Sequence, residues 1–258
     1  MKNILCTIIT LFILLGCMPT TTNTSRTTPS TKSLISFFKK YKSLEYNSGN
    51  DILKQEMYNK REKDLMDYID SITILTNIEG KISDIKLEEG GSTDGYKILR
   101  YNIKISPEKY FEITFKCVNS INNDSLDTDY IYNRIKQFSN YSTVYFDGII
   151  SVNAEKNLPR SIDYGLNLAF SYPKYRFHII DIATSQLNDT IDSSLKASLQ
   201  TGRKAINYLF QKYRSEKCSE TELRMLSGEF MKTKAELTDS QQKYVQRYMN
   251  SIILDIIK

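Results

Sequence analysis

The chain has 258 residues and carries 35 Lys and Arg against 30 Asp and Glu, a net charge of +5. A composition of 40% hydrophobic and 25% charged residues is globular and excludes a wholly disordered chain. No stretch is basic enough to mark a nucleic-acid partner, and a single histidine with no cysteine near it leaves no zinc-ligand spacing.

Met1-Lys2-Asn3 opens the chain with a positive charge, and residues 4–15 are apolar and uncharged. That is the layout of a secretory signal, too short for a good membrane span. The segment ends in Leu14-Leu15-Gly16-Cys17, which resembles the lipobox of bacterial lipoproteins. The resemblance implies removal of residues 1–16 as a signal peptide and a diacylglyceryl group on the Cys17 thiol, which makes the membrane a partner. An ordinary signal peptide with an incidental cysteine is the alternative. Met18, rather than an aspartate, follows Cys17. By the enterobacterial sorting pattern this points to the outer membrane, facing the periplasm or the surface. Cys6 leaves with the signal, so Cys117 and Cys218 remain either to pair or to stay as thiols.

Residues 17–33 then read as the lipidated cysteine and a disordered Thr-rich tether, since seven threonines and almost no apolar residues cannot form a core. Its flexible reach is roughly 20–25 Å. Residues 34–70 are expected as two helices. Leu34, Phe37, Phe38, Tyr41 and Leu44 have helical spacing, and Tyr46-Asn47-Ser48-Gly49-Asn50 breaks the run. The second helix runs from Asp51 to about Asp70, with Ile52, Leu53, Met57, Leu65, Met66 and Ile69 as its apolar positions. Its dense charges read as a solvated face.

Residues 71–183 switch to strand alternation. Ile74, Ile78, Gly80 and Ile82 share one phase, while Ile85 and Leu87 take the other, which predicts a bulge near Ser83-Asp84. Residues 88–95 read as a turn. Leu99, Tyr101, Ile103 and Ile105 mark a second strand, and Phe111, Ile113, Phe115 and Cys117 a third. A short helix follows with Asp127 as its cap and Tyr130, Ile131, Ile135 and Phe138 as its stripe. Val144, Phe146, Gly148 and Ile150 predict a fourth strand. Residues 152–163 read as loop, and Leu166, Leu168 and Phe170 as a further strand or extended loop. Tyr175, Phe177 and Ile179, prolonged by Ile180 and Ile182, form the last strand.

Residues 184–258 are expected as a three-helix unit. Ile191, Leu195, Leu199, Gly202, Ile206, Leu209 and Tyr213 lie three or four apart, which suits helix-on-helix packing. Ser219-Glu220-Thr221-Glu222 and Thr238-Asp239-Ser240-Gln241 each have the form of a capping box, and each opens a helix.

Ile78-Glu79-Gly80-Lys81-Ile82-Ser83-Asp84-Ile85 and Val144-Tyr145-Phe146-Asp147-Gly148 resemble the first and fourth strands of OB-fold domains in bacterial exported proteins. Some of these are called tRNA-anticodon-binding-like, and many sit on lipoproteins behind an N-terminal helix. The expected class is therefore α+β: a small OB-like antiparallel β-barrel flanked by N-terminal helices and a C-terminal three-helix unit. The resemblance covers roughly residues 35–183 and implies an exported, non-catalytic binding module.

Other chemistry has weaker support. His178 is predicted on a solvated strand face, and Cys117 in the core with Phe111, Ile113 and Phe115. Glu88-Glu89, Asp127 with Asp129, and Asp181 are carboxylates for glycosidase-like acid–base work, but turns and caps also explain them. An oligonucleotide face would use Tyr101, Phe111, Phe115 and Tyr145; three of these fall in core phase. The reading is a non-catalytic envelope module with an envelope protein as partner, no nucleic acid and no cofactor. Its rivals are an assembly protein that self-associates through residues 184–258, and a carboxylate hydrolase.

Overall fold

The structure is a computed structural model, and residues 28–45, 49–90, 95–153, 158–162, 166–187, 191–214 and 219–257 are described. The signal segment, Cys17 and Cys218 lie outside them.

Two helices open the body. α1 spans Pro29–Glu45, so ordered structure begins inside the segment expected as tether. The reason is that Thr28 and Thr31 are both buried. Thr28 donates to the Asn77 carbonyl at 2.7 Å, and Thr31 Oγ1 accepts from Glu79 N at 2.8 Å. These threonines therefore fix the helix start against the first strand. α2 spans Asp51–Ile72, capped by Asn50, whose side chain accepts from Leu53 N at 3.0 Å. Leu65, Met66 and Ile69 are buried as expected, but Ile52 and Leu53 are exposed.

Five strands form a closed barrel in the order β1-β2-β3-β7-β4. They are β1 (Leu75–Glu89), β2 (Tyr96–Glu108), β3 (Phe111–Asn122), β4 (Thr143–Ile150) and, after two short strands, β7 (Lys174–Ala183). β1 continues through Glu88 and Glu89, which were expected in the turn. It pairs with β4 by its first half and β2 by its second. The expected bulge is present: the register shifts between Ser83 and Lys86, and Asp84 has φ 56. The barrel is not wholly antiparallel, because β3 and β7 run parallel. Alternation is the same in either pairing, so side-chain pattern alone could not distinguish them.

Between β3 and β4 lie a 3₁₀ turn (Asn123–Thr128) and the helix α3 (Tyr130–Ile135). Its cap is Asp129 rather than Asp127; the Asp129 carboxylate accepts from Tyr132 N at 2.8 Å. After β4 come the two-residue strands β5 (Val152–Asn153) and β6 (Leu158–Pro159), paired antiparallel. Leu166–Ala169 is a single helical turn, α4, and not a strand. Ala169 and Phe170 are buried while Leu168 is exposed.

The barrel interior is filled. Ile78, Ile82, Ile103, Phe115, Cys117, Val144, Phe146 and Phe177 are buried there, and Phe115 lies 4.5 Å from Phe177 between ring centroids. Small barrels fill their interiors in this way. Gly148 is required by close approach: a Cβ there would sit 2.3 Å from the His178 carbonyl oxygen.

The C-terminal helices are α5 (Ser193–Arg214), α6 (Glu220–Ala235) and α7 (Asp239–Ile257). Ser219 accepts from Glu222 N, and Thr238 and Gln241 cap reciprocally at 3.1 and 3.4 Å. α5 and α7 bury Leu195, Leu199, Ile206, Tyr244, Val245, Tyr248 and Met249 against Ile149 and Ile180. The consecutive apolar residues Ile179 and Ile180 are thus explained: one faces the barrel interior and the other the helices. Gly202 lets α7 and α6 close in, since its Cβ would lie 2.6 Å from Met249 Sδ and 2.9 Å from Phe230.

Candidate functional site

The residues singled out for chemistry divide into those held by the fold and those facing open space. Cys117 is a free thiol, 1% exposed, and burial pushes its pKa up, which suppresses the nucleophilic thiolate. Tyr101, Phe111 and Phe115 are buried, so they offer no stacking platform; Tyr145 is half-buried. His178 is half-buried on β7.

The carboxylates are scattered. Glu88 pairs with Arg100 at 2.9 Å and Glu89 with Lys97 at 3.4 Å. Asp127 is exposed, and Asp129 is a helix cap. Asp181 accepts from Tyr130 Oη at 2.7 Å and lies 3.8 Å from Arg247.

Asp181 also faces Asp147, which the sequence marks only as part of the Val144–Gly148 strand motif. Asp147 stands opposite it across the β4–β7 ladder and is 1% exposed. Its carboxylate accepts from Asn77 N at 2.6 Å and from Tyr244 Oη at 2.7 Å. Arg247 donates to the Ile180 carbonyl at 2.7 Å. Burial, reinforced by Asp147, raises the Tyr244 pKa well above its ordinary value. This network ties α7 to the barrel. Asp147 and Asp181 are both buried, and their hydrogen bonds go to Asn77, Tyr244 and Tyr130.

A second buried network was invisible in the charge-dense α2. Arg61 is 0% and Glu62 3% exposed. Glu62 Oε1 accepts from Arg61 Nη2 at 2.7 Å and from Tyr175 Oη at 2.8 Å. Arg61 also donates to the Ala169 carbonyl at 2.6 Å and lies over the rings of Tyr58 and Phe170. The pair fastens α2 to the segment before β7.

Three surface recesses stand out among the described residues. One of about 550 Å³ is lined by Lys39, Lys40, Lys42 and Glu108. Its lysines have partners: Lys39 and Lys42 hold Glu108, and Lys40 lies 4.0 Å from Asp64. These two lysines hold the Glu108 carboxyl below its usual pKa. A second, of about 460 Å³, lies between α1, the end of α2 and α5, and carries Tyr68, Ile72, Ile74 and Lys196.

The third recess is the candidate site. It is a groove of about 530 Å³ between the start of α1 and the outer face of β1, β2 and β4. Ile78, Gly80 and Ile82 are buried, so alternation turns Glu79 and Lys81 outward, and Ser83, itself buried, lines the groove beside them. Lys104 on β2 stands opposite Lys81. Glu112 steadies Lys104 at 3.2 Å and is itself bound by Ser106 and Thr114. Tyr141 closes one end, 72% exposed and at φ 69. Tyr141 N donates to the Ile82 carbonyl, and Ile82 N donates to the Ser142 carbonyl. These two bonds hold a bulky residue in a conformation that costs energy. Glu79 Oε2 is buried with no hydrogen-bond partner among the described residues.

Glu79 and Lys81 lie on the strand that the alternation around them predicts, but nothing in the sequence gives them a role. Their only signal was outward phase on a glycine-bearing strand. Tyr141 carried no signal, because its rim position depends on where the chain re-enters the barrel.

Among the described residues no group of three or more His, Cys, Asp or Glu is placed to hold a metal ion, and no helix is long and apolar enough to cross a membrane. Compared with known proteins, the chain matches no family model, no curated protein and no solved structure at a significant level.

Proposed function

We propose that this protein is a lipid-anchored, non-catalytic binding module of the bacterial cell envelope, built on an OB-like barrel. The anchor reading rests on Leu14-Leu15-Gly16-Cys17 at the end of the apolar segment. The OB-like reading is supported by the order β1-β2-β3-β7-β4, the parallel β3–β7 pair and the helix between β3 and β4. The observation that carries the binding role is the groove on the outer barrel face: the interior is packed, whereas the groove is open and lined by charged and hydroxyl groups. An outer-membrane location follows from Met18 in the sorting pattern, and an envelope protein or peptide is the partner.

A second reading has one specific observation in its favour. α6 buries none of its residues completely, and Met225 and Met231 are 62% and 60% exposed. Self-association through residues 184–258 would use this helix. It competes with the binding role without touching the groove.

The anchor is tested by the intact mass of the protein extracted from membranes of expressing bacteria. The expected mass is that of a chain starting at Cys17 and carrying diacylglycerol. A chain that retains residues 1–16, or a free Cys17 thiol, would contradict it.

A further inference from the structure

We propose that the groove between α1 and the outer face of β1 binds a short zwitterionic peptide, with Glu79 receiving its ammonium group and Lys81 its carboxylate. This deepens the reading of the body as a binding module and rests on it.

Three observations converge on that ligand. The first is Glu79 Oε2, buried and without a hydrogen-bond partner among the described residues. Buried acceptors in folded proteins nearly always have donors, and a buried carboxylate oxygen left without one is costly. A ligand ammonium supplies both a donor and the opposite charge, whereas a neutral hydroxyl supplies only the donor. The second is the Lys81–Lys104 pair. Like charges directly opposite on neighbouring strands destabilise a sheet, and these two face each other across β1 and β2. Glu112 compensates Lys104 at 3.2 Å. Lys81 is exposed at the groove and is placed to take an anion. The third is Tyr141, held at φ 69 with its side chain at the rim. Its exposed ring is a surface for the apolar part of a ligand.

Spacing makes the ligand a short peptide rather than a free amino acid. Glu79 and Lys81 are two residues apart on one strand face, roughly 7 Å along the strand. Two extended peptide residues span about the same length. The groove volume of about 530 Å³ accommodates such a ligand.

The test is calorimetric titration of the detergent-extracted full-length protein with dialanine, N-acetyl-dialanine and dialanine amide. Dialanine should bind saturably, with a Kd on the order of 1 mM or tighter. Blocking either end should weaken binding by about tenfold or more. Glu79→Gln should weaken dialanine about as much as N-acetylation does, and should leave N-acetyl-dialanine unchanged. Lys81→Met should do the same for the carboxylate end, with dialanine amide unaffected. Melting curves of both variants establish that they fold. The three peptides on the unaltered protein decide the matter independently of any variant. No heat with dialanine, equal binding of all three peptides, or full affinity in a folded Glu79→Gln protein would overturn the proposal. The mass measurement on Cys17 is independent of these outcomes, so a failure here leaves the anchor reading standing.

Discussion

Removing residues 239–258 should abolish the cooperative melting of the protein, not trim a tail. α7 buries Tyr244, Val245, Tyr248 and Met249 against Ile149, Ile180 and Leu199. Each such side chain contributes roughly 1.5–3 kcal/mol on burial. Four together amount to about 6–12 kcal/mol, comparable with the whole net stability of a typical domain. The deletion also strips Asp147 of the Tyr244 hydroxyl and removes Arg247 from Asp181. Thermal melting followed by circular dichroism measures the effect. A deletion protein that melts at the same temperature would show that α7 is not part of the core. Tyr244→Phe is the mild counterpart. It removes one hydrogen bond to a carboxylate that keeps its bond from Asn77 N, and should cost about 1.5–3 kcal/mol.

Arg61→Ala should be the most damaging single substitution among the charged residues. The guanidinium is fully buried and supplies two donors to Glu62 and one to the Ala169 carbonyl. Without it the Glu62 carboxylate stays buried, with the Tyr175 hydroxyl still directed at it. Removing one partner of a buried ion pair costs about 3–5 kcal/mol. Replacing both partners by apolar residues of similar volume, Arg61→Met with Glu62→Leu, should recover most of that loss. Urea unfolding of the three proteins distinguishes the cases. A loss below about 1 kcal/mol for Arg61→Ala would place the pair among exposed ion pairs of little consequence.

The contrast between these networks and the barrel shows what was legible in the chain. The strands were readable because burial on one face writes a two-residue period into the sequence. Tyr101-Ile103-Ile105 and Phe111-Ile113-Phe115-Cys117 are buried as their phase requires. The bulge near Ser83-Asp84 was readable as a phase change for the same reason. The capped helix starts at Ser219 and Thr238 were readable because capping is local chemistry.

What failed depended on distant partners. Thr28 and Thr31 look like tether residues until β1 offers Asn77 and Glu79 to them. Arg61 and Glu62 look like a solvated face until the turn before β7 covers them. Leu166, Leu168 and Phe170 alternate like a strand, but four residues form one helical turn that seats Ala169 and Phe170 over Arg61. Asp147 was read as part of a motif, and its role appeared only with Asn77 and Tyr244 in place. The groove is of this kind as well. Glu79, Lys81 and Lys104 came from strands that were read correctly, while Tyr141 and Thr31 came from segments whose placement is tertiary.

The central claim is that Cys17 fastens this body to a membrane, and fractionation of cells producing Cys17→Ser tests it most directly. The account predicts that the substituted protein leaves the lipid-modified membrane pool, appearing either as a released form or as an uncleaved precursor that retains residues 1–16. A Cys17→Ser protein processed at the normal position and still held in the membrane fraction would contradict it.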